Sequence, residues 1–124
     1  MQQPLKILIN DDSLLLRKKL RAELENLGCE VFEAKDGREV IKVYSQIRPD
    51  GVLMDIVMPN LNGLDALKEI KAIDPKARVI MLSSTGTAAK LLEALKLGAM
   101  DFIQKPYTGS QIAKAIKDIG RREN

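Results

Sequence analysis

Apolar positions in this chain follow two rhythms that alternate from one end to the other. Short unbroken runs at 7–9, 52–54, 79–82 and 102–103 are separated by stretches in which leucine, isoleucine or alanine recurs every three or four residues. An unbroken run of that length reads as a strand covered on both faces, and the wider spacing reads as a helix laid against it. The pattern predicts strands over 7–9, 30–33, 51–54, 78–82 and 101–104. Helices are predicted over 14–27, 36–47, from Asn62-Gly63 to Asp74-Pro75, over 87–97 and over 108–119. Ser13 caps the first helix and Gly28 ends it, Asp36 opens the second and Arg48-Pro49 stops it, and Gly98 stops the fourth. Five strand–helix units imply right-handed crossovers, and so an α/β fold with one parallel sheet flanked by five helices. No linker, repeat or low-complexity segment interrupts the alternation, so 1–124 is read as a single domain.

Four of the apolar runs lead into polar residues: Asp11-Asp12, Asp55, Ser83 and Lys105. Residues just past the strand ends of a parallel sheet share one edge, where ligands bind in doubly wound folds. Three carboxylates, a hydroxyl and an ammonium are therefore expected in one crevice, a set suited to a divalent cation and a phosphoryl group. Each has a blander reading. Asp11-Asp12 suits a helix N-cap, Lys105 a solvated cation, Ser83 a satisfied strand-end hydroxyl, and Phe102 a core residue.

Composition narrows the chemistry. The 124 residues hold no histidine and one cysteine, Cys29. That removes a Ser-His-Asp triad, an internal disulfide and the usual ligands of zinc, copper or iron. A metal here is expected to be hard and oxygen-liganded. Cys29 is read as structural, and Tyr44 and Tyr107 as partly exposed packing residues. The net charge of +3 comes from bases interleaved with acids, as in Arg17, Lys18, Lys19 and Arg21 before Glu23 and Glu25. That reads as a solvated helix face. With two tyrosines, two phenylalanines and no tryptophan there is no base-stacking platform, so no direct nucleic-acid contact is expected. No apolar stretch approaches a membrane span, and the first residues carry no secretory signal. A cytoplasmic protein is expected.

Four segments carry a family likeness: Ile7-Leu8-Ile9-Asn10-Asp11-Asp12-Ser13, Leu53-Met54-Asp55-Ile56-Val57-Met58-Pro59 with Gly63, Val79-Ile80-Met81-Leu82-Ser83, and Phe102-Ile103-Gln104-Lys105-Pro106. In order and at these intervals, they make the chain resemble the receiver domain of two-component response regulators over essentially its full length. The resemblance implies a flavodoxin-like, doubly wound sheet of order 2-1-3-4-5. It implies Asp55 as acceptor of a phosphoryl group from a histidine kinase or a histidine phosphotransfer protein. Magnesium (or manganese) would be held by Asp11, Asp12, Asp55 and the backbone carbonyl of Val57. Ser83 and Lys105 would each engage a phosphoryl oxygen, and Lys105-Pro106 would be cis. Ser83 and Phe102 would act as the switch, repacking the face of the fourth helix, fifth strand and fifth helix for a downstream protein target. The implied protein is a phosphoacceptor rather than an enzyme, a monomer or a weak phosphorylation-dependent dimer.

Several positions depart from the family pattern. Asn10 replaces an apolar residue at the end of the first strand, and a buried amide there needs partners near the acid pair or on the neighbouring strand. Val57 and Thr85 flank the expected path of a hydrolytic water and orient it poorly, so slow to moderate loss of phosphate is expected. Ser84 replaces a smaller alanine, and Phe102 lacks a tyrosine hydroxyl. A stand-alone chemotaxis or phosphorelay regulator is the leading reading. The alternative is a receiver excised from a larger DNA-binding or enzymatic regulator. A haloacid dehalogenase-type phosphatase would want a second acid where Val57 stands, and a flavin module would want a phosphate cradle where Asp11-Asp12-Ser13 stand.

Overall fold

The computed structural model describes residues 3–11, 13–58, 60–84 and 88–121. Strands β1 (Lys6–Asn10), β2 (Glu30–Ala34), β3 (Gly51–Asp55), β4 (Val79–Ser83) and β5 (Asp101–Gln104) alternate with helices α1 (Leu14–Asn26), α2 (Gly37–Ile47), α3 (Gly63–Ile73), α4 (Ala88–Lys96) and α5 (Gly109–Gly120). All neighbouring strands are parallel, in the order β2-β1-β3-β4-β5. The expected doubly wound sheet is therefore present, with the winding reversing between β1 and β3.

Strand alternation sorts the interior into two layers. Ile7, Ile9, Leu53, Ile80, Leu82 and Ile103 meet Leu20 and Leu24 of α1 and Ile112, Ile116 and Ile119 of α5. Leu8, Val52, Met54, Val79 and Met81 meet Val40 and Tyr44 of α2 and Leu64, Leu67 and Ile70 of α3, with Ala94 of α4. Full burial of such side chains, at roughly 1.5–3 kcal/mol each, is what holds the helices to the sheet.

The helix entries carry the chemistry that the sequence suggests. The side chains of Ser13, Asp36, Asn62 and Thr108 accept from the backbone N–H groups of Leu16, Glu39, Asp65 and Gln111. At α5 the Gln111 side chain returns a bond to the Thr108 N–H, completing a capping box. The predicted start of the fourth helix, Thr87, lies outside the described residues.

Three local expectations are corrected. Strands β3 and β4 run one residue further than their apolar runs, because the ladder continues: Ile56 N–H donates to Leu82 O at 3.1 Å, and Lys105 N–H to Ser83 O at 2.7 Å. Tyr44 is wholly buried rather than partly exposed, and a hydrogen bond from its hydroxyl to Asp74 Oδ2 at 2.7 Å offsets the cost of removing that hydroxyl from water. Phe102 is 38% exposed, not core, because β5 is one of the two edge strands of the sheet. Tyr107 is half-buried, as expected. No described helix is long and apolar enough to cross a membrane.

Candidate functional site

Register decides which residues meet. Asn10 pairs with Ala34 on one side and Met54 on the other, Asp55 with Leu82, and Ser83 with Gln104. Asp11, Asp55, Ser83 and Lys105 therefore all fall within about one residue of the same sheet edge. Asp11, Asp55 and Lys105 are in phase with the α1/α5 layer, and Ser83 with the α2–α4 layer.

Asp11, Asp55 and Ser83 are 1%, 7% and 0% exposed. The Lys105 ammonium lies 2.8 Å from Asp11 Oδ2 and 2.8 Å from Asp55 Oδ2, so one cation serves both carboxylates. The second oxygens turn to backbone donors: Ser13 N–H reaches Asp11 Oδ1 at 2.9 Å, and Val57 N–H reaches Asp55 Oδ1 at a long 3.4 Å. Burial pushes the Asp55 carboxyl above the usual carboxylate range; Lys105 opposes that, and the nearby Asp11 charge adds to it. Burial also works against the Lys105 ammonium, but hydrogen bonds and charge from Asp11 and Asp55 outweigh it and raise its pKa.

Ser83 stands apart from this trio. Its Oγ is fully buried and has no hydrogen-bond partner among the described residues. The bland reading of a satisfied strand-end hydroxyl is therefore not what the structure contains. The peptide between Lys105 and Pro106 is cis, as the family likeness implied. Asn10, which departs from the family pattern, donates from Nδ2 to the carbonyls of Ala34 at 2.9 Å and Asp36 at 3.3 Å. It thus bonds to the neighbouring strand, as expected of a buried amide. Val57 and Ser84 are exposed. Asp12, Pro59 and Thr85 lie outside the described residues.

The donor chemistry fits a hard divalent cation, since the buried groups are carboxylate oxygens at one edge of the sheet. Among the described residues no cluster of three histidine, cysteine, aspartate or glutamate side chains is arranged around a metal position. Asp11 and Asp55 supply two carboxylates there.

Sequence reading missed one contributor. Arg17, read as part of a solvated face, has a side chain only 14% exposed and donates from Nη1 to the Asp11 carbonyl at 2.6 Å. Glu33 of β2 receives Arg17 Nε at 2.7 Å and Arg21 Nη1 at 2.6 Å. The available signal was two arginines one helical turn apart, beside an acid on the next strand.

A family model, the response regulator receiver domain, matches residues 7–117. The chemotaxis protein CheY of Thermotoga maritima is 43% identical over 117 residues, covering 94% of this chain and 98% of the relative. The CheX–CheY–BeF3–Mg2+ complex from Borrelia burgdorferi has a TM-score of 0.89 at 31% identity, covering 96% of this chain and 91% of that one. NtrX from Brucella abortus has a TM-score of 0.88 at 29% identity, with 94% of this chain matching 26% of that longer one. Fold, strand-end chemistry and these matches agree: the chain belongs to the response regulator receiver domain family.

Proposed function

We propose that Asp55 accepts a phosphoryl group from a phosphohistidine of a kinase or phosphotransfer protein. The observation that carries this reading is the Lys105 ammonium held 2.8 Å from both Asp11 and Asp55 at the carboxyl edge of the sheet. An Asp55 carboxylate oxygen attacks phosphorus, the O–P bond forms, the N–P bond breaks, and the imidazole leaves with the electron pair. Lys105 is then within reach of a phosphoryl oxygen, and the unpaired Ser83 hydroxyl is a ready donor to another. Little covalent help is needed beyond positioning and neutralisation of the equatorial oxygens.

Asp11, Asp12, Asp55 and the Val57 carbonyl would hold magnesium or manganese. The bound cation would offset carboxylate repulsion and the charge of the transferring group. The beryllofluoride and magnesium present with the Borrelia relative support that assignment. Burial raises the Asp55 pKa, and a nearby cation would favour its ionised, nucleophilic form.

Ser83 and Phe102 are the proposed switch. A Ser83 hydroxyl drawn to the phosphoryl oxygens would leave space beneath the next loop, and Phe102, exposed on β5, would turn into it. That repacks the α4–β5–α5 face for a downstream protein partner, as a ligand-biased equilibrium between two arrangements. The match to nearly the full length of a CheY relative favours a chemotaxis-type or phosphorelay regulator, acting as a phosphoacceptor with self-catalysed gain and loss of phosphate.

The test is intact-mass measurement after incubation with acetyl phosphate and magnesium. Wild type should gain the mass of one phosphoryl group and Asp55→Asn none. Labelling of the variant at the wild-type level would refute the assignment.

A further inference from the structure

Arg17 lies in the first turn of α1, and its guanidinium is committed at two points. Nη1 donates to the backbone carbonyl of Asp11 at 2.6 Å, and Nε to Glu33 Oε1 at 2.7 Å. Glu33 is itself braced by Arg21, whose Nη1 reaches Oε2 at 2.6 Å. Burial pushes the Glu33 carboxyl up, but the hydrogen bonds and charges of Arg21 and Arg17 outweigh it and hold it below the usual carboxylate range. The brace is therefore ionised at neutral pH. The Asp11 carbonyl belongs to the planar peptide unit that joins Asp11 to Asp12. A donor fixed on that oxygen restricts the backbone rotation that would turn Asp11 away from Asp55. Ser13 N–H on Asp11 Oδ1, at 2.9 Å, fixes the same loop from the other side.

We propose that Arg17, braced by Glu33, is a positioning residue for the divalent-cation site, acting through the Asp11 peptide and not by touching the cation. The inference rests on the cation-assisted reading given above. Charge and geometry make opposite demands here. A positive group beside the acid pair repels a dication, so charge alone makes Arg17 harmful to cation binding. Its pairing with Glu33 blunts that repulsion, whereas the grip on the carbonyl has no substitute among the described contacts. Geometry should win, because partners that orient metal ligands from outside are worth about 10–100-fold in affinity.

The test is a Mn2+ titration followed by electron paramagnetic resonance of the free ion, on wild type, Arg17→Met and Arg17→Lys. Amide hydrogen exchange at Ser13 is measured on the same proteins without metal. Wild type should bind one Mn2+. Both variants should bind it about tenfold more weakly, with faster Ser13 exchange. Arg17→Met keeps much of the packing stem but removes a positive charge, so tighter or unchanged Mn2+ binding would show that only charge matters and would overturn the proposal. Arg17→Lys retains the charge and loses the two-point grip. Mn2+ affinity within about twofold of wild type there would overturn it equally, even if Arg17→Met did not fold. Failure of the underlying reading looks different: wild type itself would leave all the Mn2+ free, and the proposal would fall with it.

Discussion

At Asp55, burial and pairing pull in opposite directions, and burial wins in the metal-free protein: the carboxyl sits above the usual range despite Lys105 at 2.8 Å. An acid whose native pKa exceeds its unfolded one stabilises the fold below the unfolded value. That contribution is lost as pH rises through the native pKa. Metal-free Asp55→Asn, neutral at every pH, should therefore be more stable than wild type at pH 7, by on the order of 1 kcal/mol or about 4 °C in Tm. The gap should close as pH falls towards the carboxylate range. Asp36 and Asp74, held low chiefly by the Glu39 N–H and the Tyr44 hydroxyl, work in the opposite sense. They do so in both proteins and cancel in the difference. Thermal melts of the two proteins across pH decide it; a wild type at least as stable as the variant at pH 7 would contradict the argument.

Among elements, the turn from β3 into α3 is closely packed against the end of the strand that carries Asp55. Gly63 N–H donates to Ile56 O at 2.7 Å, and a Cβ on Gly63 would run into the Asp55 carbonyl and lie 2.7 Å from Ile56 Cα. Backbone would have to yield, and it is the backbone that carries Asp55 and Val57. Gly63→Ala should cost about 2 kcal/mol in urea denaturation, within the range of overpacked sites. It should also slow labelling by acetyl phosphate, and a variant with wild-type stability and labelling would show that the turn has slack. Helix entries were legible in the sequence because a cap is a local event: Ser13, Asp36, Asn62 and Thr108 need only their own next turn. The demand on Gly63 was not, since it comes from how closely α3 approaches the end of β3. Tyr44 escaped for the same reason, its partner Asp74 standing at the far end of another helix.

For the whole molecule, parallel topology does most of the assembly. Strand ends brought into register by the sheet collect Asp11, Asp55, Ser83 and Lys105 without help from helix faces, which is why the cluster could be read from apolar runs alone. The Arg17–Glu33–Arg21 brace left only a weak trace in the sequence, two arginines one turn apart and an acid on the next strand, because it depends on side-chain direction across α1 and β2. Because the proposed cation site draws on the ends of β1 and β3 at the middle of the sheet, its occupancy should be felt as global stability. Magnesium at about 100 times its Kd should add roughly 2.7 kcal/mol to the unfolding free energy. That is a rise of about 10 °C in Tm, and Asp11→Asn should largely abolish it. Melting curves with and without magnesium check this; identical curves for wild type would refute a site of useful affinity.

If Ser83 acts as the proposed switch, its hydroxyl, shut away from water and answering to no donor or acceptor among the described residues, sets heat tolerance against responsiveness. A dry, unmatched hydroxyl is a small standing burden on the unmodified fold. Laboratory evolution for thermal endurance alone should therefore drift towards alanine at this position, yielding a hardier molecule that has gone deaf.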